Sequence, residues 1–183
     1  MNRKIILYIS LIISTLSYYV ETQAQSWKPI TTSITFKIKH SLGATAEGSF
    51  KGFAGSINFD PMNLATATIK ATIDAKSIDT GINIRDNTMR SDDYFDVVKY
   101  PRISMVSTKI EKNIKENEFI GYFNLTIKNV TKNVKIPFTF TQNNTQGIFK
   151  GSFSINRTEY GIGEKSALLG DTATIFITIN TQQ

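Results

Sequence analysis

FIGYFNLTIKNVTKNVKIPFTF, residues 119–140, alternates apolar and polar side chains over most of its length. Phe119, Gly121, Phe123, Leu125 and Ile127 fall on one face, and Val134, Ile136, Phe138 and Phe140 resume the pattern after an interruption. A period of two puts such residues on one side of a β-strand, whereas a helix needs apolar residues three or four apart. The same period runs outward from this stretch. Upstream, Ile34, Phe36 and Ile38 alternate with Thr35, Lys37 and Lys39, and Ala65, Ala67, Ile69, Ala71 and Ile73 alternate with Thr66, Thr68, Lys70, Thr72 and Asp74. Downstream, Phe149, Gly151, Phe153 and Ile155 share one face, as do Ala173, Ile175, Ile177 and Ile179. Between Phe50 and Phe53 the parity slips by one at Lys51-Gly52, which marks a β-bulge or a sharp bend.

With the segment from Ile103 to Ile110, these runs amount to about eight strands. Glycines at several inward positions permit the curvature that closure requires. The fold class read from this pattern is all-β: an eight-stranded, antiparallel, up-and-down β-barrel. A barrel of that size is either filled by side chains or holds one small ligand. Two stretches break the rhythm. Gly81 to Pro101 predicts a short helical insertion, with Ser91 as its N-cap and Asp92 and Asp93 in the first turn, where acids suit the helix dipole. Tyr160 to Asp171 is glycine-rich and reads as a loop.

The N-terminus has the layout of a secretory signal peptide over residues 1–24. Arg3 and Lys4 form a basic start, Ile5 to Leu16 is apolar but short for a membrane span, and Thr22-Gln23-Ala24 is a small-x-small cleavage site. Processing leaves residues 25–183 as one domain, with no later segment of membrane-span length. A periplasmic or secreted location follows from this reading. Without Arg3, Lys4 and Glu21, 19 basic and 14 acidic residues remain. The lysines are dispersed, so nothing points to nucleic acid.

The chain has no cysteine and a single histidine, His40. Thiol catalysis, Cys-bound zinc and iron–sulfur chemistry are thereby removed, and a catalytic zinc site lacks its usual ligands. There is no G-x-S-x-G elbow. His40 and Ser41 are adjacent, and neighbours on a strand point to opposite faces. An acid–base site made of His40 and Asp86 is the enzymatic alternative, and a filled structural barrel is another.

In an up-and-down barrel the odd strands end on one rim. His40 ends the first strand in phase with Phe36 and Ile38, Arg85-Asp86 follows the third, Asn129 follows the fifth, and Arg157 ends the seventh in phase with Phe153 and Ile155. The unusual polar residues therefore converge on one mouth above an apolar interior, an arrangement that holds a head group while a tail enters. Bland alternatives stand beside this. Arg85 and Asp86 also fit a mutual pair or a loop cap. Arg157 cannot lie unpaired in an apolar interior, so it reaches water, pairs with an acid such as Asp86, or meets an anionic head group. Phe50, Phe123, Phe138 and Phe153 suit a packed core equally well.

Five blocks carry a resemblance to a known family. They are FKIKH (36–40), GSFKGFAGSINFDP (48–61), TGINIRDNTMRSDDYFDVVKYP (80–101), GYFNLTIKNVTKNV (121–134) and FSINRTEYGI (153–162). In this order they resemble the YceI-like family of bacterial periplasmic, polyisoprenoid-binding proteins. Thr88 stands where that family usually has His, Met89 where it has Leu, Asn129 where it has Gly and Met105 where it has Phe. The resemblance implies a lipocalin-like barrel around an isoprenoid chain, such as an isoprenoid quinone. No cofactor is required, and a bound isoprenoid lipid is the expected ligand. Its expected contacts are Phe36, Ile38, His40, Phe50, Arg85, Asp86, Met89, Phe123, Phe138, Phe153, Ile155 and Arg157. A homodimer is left open.

Overall fold

A computed structural model describes residues 25–183, so the signal segment read at residues 1–24 lies outside the described residues. Nine strand segments follow one another: β1 (Ser26–His40), β2 (Thr45–Phe50), β3 (Ala54–Asn58), β4 (Thr68–Asp74), β5 (Arg102–Lys112), β6 (Glu118–Ile127), β7 (Val130–Asn143), β8 (Gln146–Asn156) and β9 (Leu169–Gln182). β2 and β3 both pair with β1, with Gly48 opposite Phe36 and Ile57 opposite Trp27. They are two halves of one stave, and the structure is an eight-stranded antiparallel barrel. The last strand closes it on the first, with Ile177 opposite Ile34 and Ile175 opposite Phe36.

The slip in apolar parity is where that stave breaks. Gly52 takes a positive φ of 70°, and a Cβ there would stand 2.9 Å from the Cβ of Asp74, so both backbone and space call for glycine. The third stave is shorter than the alternation predicts. Ala65 lies in a single 3-10 turn, Leu64–Thr66, and β4 starts only at Thr68.

The helical insertion exists, but it stands earlier than the capping signal places it. Helix α1 spans Asn83–Arg90, and Ser91 ends it instead of starting one, with its hydroxyl donating to the Thr88 carbonyl. Ser91, Asp92 and Asp93 belong to the turns that follow, where the Tyr94 and Asp96 amides both donate to the Ser91 carbonyl. A short polar run with acids suits a turn as well as a first helical turn. In the β6–β7 turn it is Lys128, at φ 55°, and not Asn129, that takes the left-handed conformation.

The barrel has two unlike ends. The C-terminal ends of β1, β4, β6 and β8 share one rim, called the mouth. It carries the insertion between β4 and β5 and the loop between β8 and β9. The half of the barrel away from the mouth is solid with aromatic rings. Trp27, Phe59, Phe119, Phe138, Phe140 and Phe149 meet with centroids 4.5 to 6.4 Å apart, mostly edge to face. The Trp27 indole donates to the Phe59 carbonyl at 2.8 Å, tying the start of β1 to the end of the second stave. Inward glycines make room for these rings. A Cβ at Gly121 would come within 2.3 Å of the Phe123 ring, and one at Gly147 within 2.7 Å of the Trp27 ring.

Between β7 and β8 the wall is paired only in this far half, because the ladder stops at Phe138 opposite Gly151. Toward the mouth the two strands separate. Val130, Val134, Phe153 and Ile155 there pack against the cluster that contains the buried Tyr160. Lys132, in phase with inward residues, pairs with Glu159 across this seam.

Candidate functional site

The mouth half encloses a cavity of about 160 Å³. Its walls come from every stave except β7: Ile34, Phe36 and Ile38 of β1, Phe50, Ile69 and Ile73, Met105, Leu125 and Ile127, Phe153 and Ile155, and Ala173, Ile175, Ile177 and Ile179. Ile78, Met89, Tyr94 and Phe95 from the insertion and Ile162 from the last loop add to it near the mouth. Of the 28 lining residues only Thr35, Thr72, Tyr94, Ser104 and Arg157 have polar side chains. Alternation explains why: positions in phase along each strand face inward, and nearly all of them are Ile, Phe, Leu or Ala.

Seven of the twelve residues expected at the site line this cavity: Phe36, Ile38, Phe50, Met89, Phe153, Ile155 and Arg157. Phe123 and Phe138 do not. They are buried in the aromatic half below it. His40 is half-buried at the end of β1, opposite Leu169, and does not line the cavity. No hydrogen bond joins it to Asp86.

Arg85 and Asp86 also stand outside the cavity, and they do the work of loop caps through a shared partner. The Asp86 carboxylate accepts from the Thr80 amide at 2.8 Å and from the Thr80 hydroxyl at 2.5 Å. Arg85 donates to the same hydroxyl oxygen and to the Thr80 carbonyl. The Thr80 hydroxyl holds the Asp86 carboxyl below its ordinary value of 3.8; the Thr80 amide and the charges of Arg90 and Arg85 help, and desolvation opposes them. Arg90 adds two bonds, to the Lys76 and Ile78 carbonyls. Helix α1 is thus stapled to the segment before it, and Met89 is aimed at the cavity.

Arg157 resolves differently from the acid named for it on sequence grounds. It is 3% exposed and pairs with Asp171 at 3.3 Å, not with Asp86. Its other donors go to the carbonyls of Gly170, Ile162 and Leu169. A buried guanidinium engaged in this way pins both ends of the β8–β9 loop over the mouth. Beside it, burial, helped by the Glu159 charge, raises the Tyr160 hydroxyl above its ordinary pKa of 10.0 and keeps it neutral.

Residues missed by sequence reasoning fall into two groups. Ile34, Ile175 and Ile177 lay on faces already read as inward, and alternation alone could have added them. Tyr94, Phe95 and Ile162 sit in segments without a period, so no pattern pointed inward. At the same mouth, Leu42, Ile82, Ile84, Val98 and Leu168 are exposed.

A YceI-like domain model matches residues 26–181. The chain belongs to the YceI-like family. Among curated relatives, a UPF0312 protein of Yersinia enterocolitica is 34% identical over 125 residues, which are 67% of this chain and 64% of that protein. One of Pectobacterium carotovorum is 36% identical over 103 residues, 56% and 53% of the two chains. The match thus spans roughly half to two-thirds of these relatives' length. Among solved structures, Burkholderia cenocepacia BcnA superposes with a TM-score of 0.76 at 27% identity, covering 81% of this chain and 95% of that one. A polyisoprenoid-binding domain from Saccharophagus degradans, implicated in plant cell wall breakdown, gives 0.68 at 13% identity, covering 87% and 98%; at that identity the likeness is one of fold. In this YceI-like barrel the block from Thr80 to Pro101 is the capped insertion that walls the mouth, and the block from Phe153 to Ile162 carries Arg157 and the loop it pins.

Proposed function

We propose that this protein is an exported lipid-binding barrel that holds the tail of an isoprenoid lipid, for transport, storage or sequestration, and does no chemistry on it. The observation that carries the reading is the mouth-half cavity, walled almost wholly by apolar side chains and lacking a free charge: its one ionic group, Arg157, is engaged with Asp171 and three carbonyls. Burial of each CH₂ in such a site is worth about 0.8 kcal/mol. The YceI-like family and the polyisoprenoid-binding domain of shared fold support the class of ligand.

In this reading Phe36, Ile38, Phe50, Met89, Phe153 and Ile155 touch the tail, and His40 meets the head group at the rim. Arg85 and Asp86 shape the mouth without touching the ligand, Arg157 meets it with a guanidinium already engaged by Asp171 and three carbonyls, and Phe123 and Phe138 lie beneath it. Organic extraction of protein purified from its producing cell, followed by mass spectrometry, tests the proposal. An isoprenoid lipid in stoichiometric amount is expected. Extracts without lipid, from a protein that also fails to take up prenyl alcohols, would favour a filled structural barrel. N-terminal sequencing tests export: Gln25 is expected first, and an intact Met1 in the mature fraction would overturn it.

A further inference from the structure

The mouth is covered by the stapled insertion and by the loop that Arg157 pins. The side wall is less uniform. Along the mouth half most ladders run to the rim, as far as His40 opposite Leu169, Asn156 opposite Thr172 and Ile127 opposite Val130. They lapse in two places. Beside β2 the lapse is bridged by backbone: Ser49 and Asp79 exchange amide bonds both ways, and the Ser77 hydroxyl bonds the amide and the carbonyl of Lys51. Between β7 and β8, among the described residues, no backbone bond joins residues 130–137 to residues 152–156. Pro137 stands where that ladder stops, and a proline has no amide with which to extend one.

Side chains alone fill this seam. Phe153 and Ile155 line the cavity, Val134 packs beside them, and none of the three is fully buried. Lys132 is in phase with the inward residues, yet its side chain is 39% exposed and pairs with Glu159. Its ammonium lies 5.9 Å from the ring centre of Tyr160, whose buried hydroxyl finds no partner. Swinging out to water would satisfy that hydroxyl and offset part of the packing lost. Lys128 adds bonds to the Asp92 and Gly161 carbonyls. Where the ladder stops, a groove of about 490 Å³ lies against the outer wall, lined by Pro137, Lys150, Ser152 and the exposed Phe176. Ile177 borders both this groove and the cavity inside. Opening any other part of the wall breaks backbone bonds. Opening this one breaks an exposed ion pair, which holds little, and parts side chains.

We propose that the seam between the mouth-side halves of β7 and β8 is a side door through which a long apolar tail enters and leaves the cavity, with Lys132 and Glu159 as its latch and Tyr160 as its plug. This rests on the reading of the barrel as a lipid binder. A chain laid in sideways along its length need not be threaded past the stapled mouth.

The test locks the door. Lys135 and Ser154 are the exposed positions that would face each other if the ladder continued from Phe138 and Gly151. The chain has no cysteine, so Lys135→Cys with Ser154→Cys can be joined by a short bismaleimide without side reactions. The control joins Ser154→Cys to Thr174→Cys, on strands the ladder already holds together. Release of cis-parinaric acid from the mature chain is followed by its loss of fluorescence on mixing with excess geranylgeraniol. Uptake is followed by the reverse signal. The β7–β8 link should slow both about tenfold or more and leave equilibrium affinity within about twofold, because a door alters the barrier and not the end states. The control link should leave the rates unaltered. Glu159→Gln, which frees the latch, should speed exchange about two- to fivefold. Unaltered rates in the β7–β8-linked protein, or equal slowing in the control, would overturn the side door while leaving lipid binding intact. Unaltered rates in a folded Glu159→Gln protein would overturn the latch. Failure of the unaltered protein to bind either probe would overturn the lipid-binding reading itself.

Discussion

The two halves of this barrel are built from the same kind of inward residue and end in opposite states. The far half sets large rings against glycines: Phe123 over Gly121, Trp27 over Gly147 and Phe138 beside Gly151. Large against nothing interlocks, and the rings fill the lumen. The mouth half has rings too, such as Phe36 over Gly48, but much of its wall is branched aliphatic: Ile34, Ile73, Ile155, Ile175 and Ile177. Branched aliphatics standing perpendicular to a curved wall do not reach the axis, so a void remains. Closure at the mouth is then left to polar staples, the Thr80–Arg85–Asp86 cap and the Arg157 network, whereas the far end closes by packing and two buried side-chain hydrogen bonds, from the Trp27 indole and the Thr181 hydroxyl. Packing density, and not hydrophobicity, separates a foundation from a binding site here.

Removing a ring from the solid half should cost most. Phe59 is fully buried and touches four other rings, so Phe59→Ala is expected to lose about 4 kcal/mol or more in urea unfolding. A loss under about 2 kcal/mol would mean that the far half is no better packed than the mouth.

Next comes the largest polar staple. Arg157→Met leaves the carbonyls of Gly170, Ile162 and Leu169 without their donor and should cost about 3 kcal/mol. Arg157→Lys should recover less than half of that, because a single ammonium cannot span the same acceptors. Full rescue by lysine would show that charge and not the fork geometry holds the loop.

A matched pair puts the comparison on one residue type. Ile136 is buried in the aromatic half, while Ile175 lines the cavity. Ile136→Ala is expected near 4 kcal/mol and Ile175→Ala near 2 kcal/mol, since a wall already facing a void has fewer contacts to lose. Equal losses would erase the distinction between the halves.

The smallest effect is a dependence on pH. The folded carboxyl of Asp86 lies below 3.8, so its contribution is present above that value and is lost as pH falls through the lower folded pKa. Asp86→Asn should therefore flatten the acid side of the melting-temperature profile and leave the neutral side nearly parallel to it. An acid limb identical in both proteins would assign acid sensitivity to other carboxylates.

How the twelve expected site residues divided shows where sequence patterns stop informing. Strand positions were legible: Phe36, Ile38, Phe50, Phe153 and Ile155 face the cavity because parity is local. Phe123 and Phe138 face inward as expected, but depth along the barrel is invisible to a period of two, and they belong to the packed aromatic half. Arg85, Asp86 and Arg157 were rightly gathered at one rim, and their partners were not foreseeable. Thr80 lies in a segment without periodicity, and the carbonyls that receive Arg157 belong to backbone, which carries no sequence signal.

Alternation, one slip at Lys51-Gly52 and strand count were enough for an eight-stranded antiparallel barrel, its inward face and its polar rim. Each depends on neighbours a few residues apart, and the pleat of a strand makes that spacing binding. Three things required the folded chain: which inward residues lie deep, where the lumen fills, and what the rim's charges hold. Each depends on the stagger between strands distant in the chain, such as Ile34 opposite Ile177 and Phe138 opposite Gly151. Stagger sets which ring finds a glycine and which isoleucine finds only space.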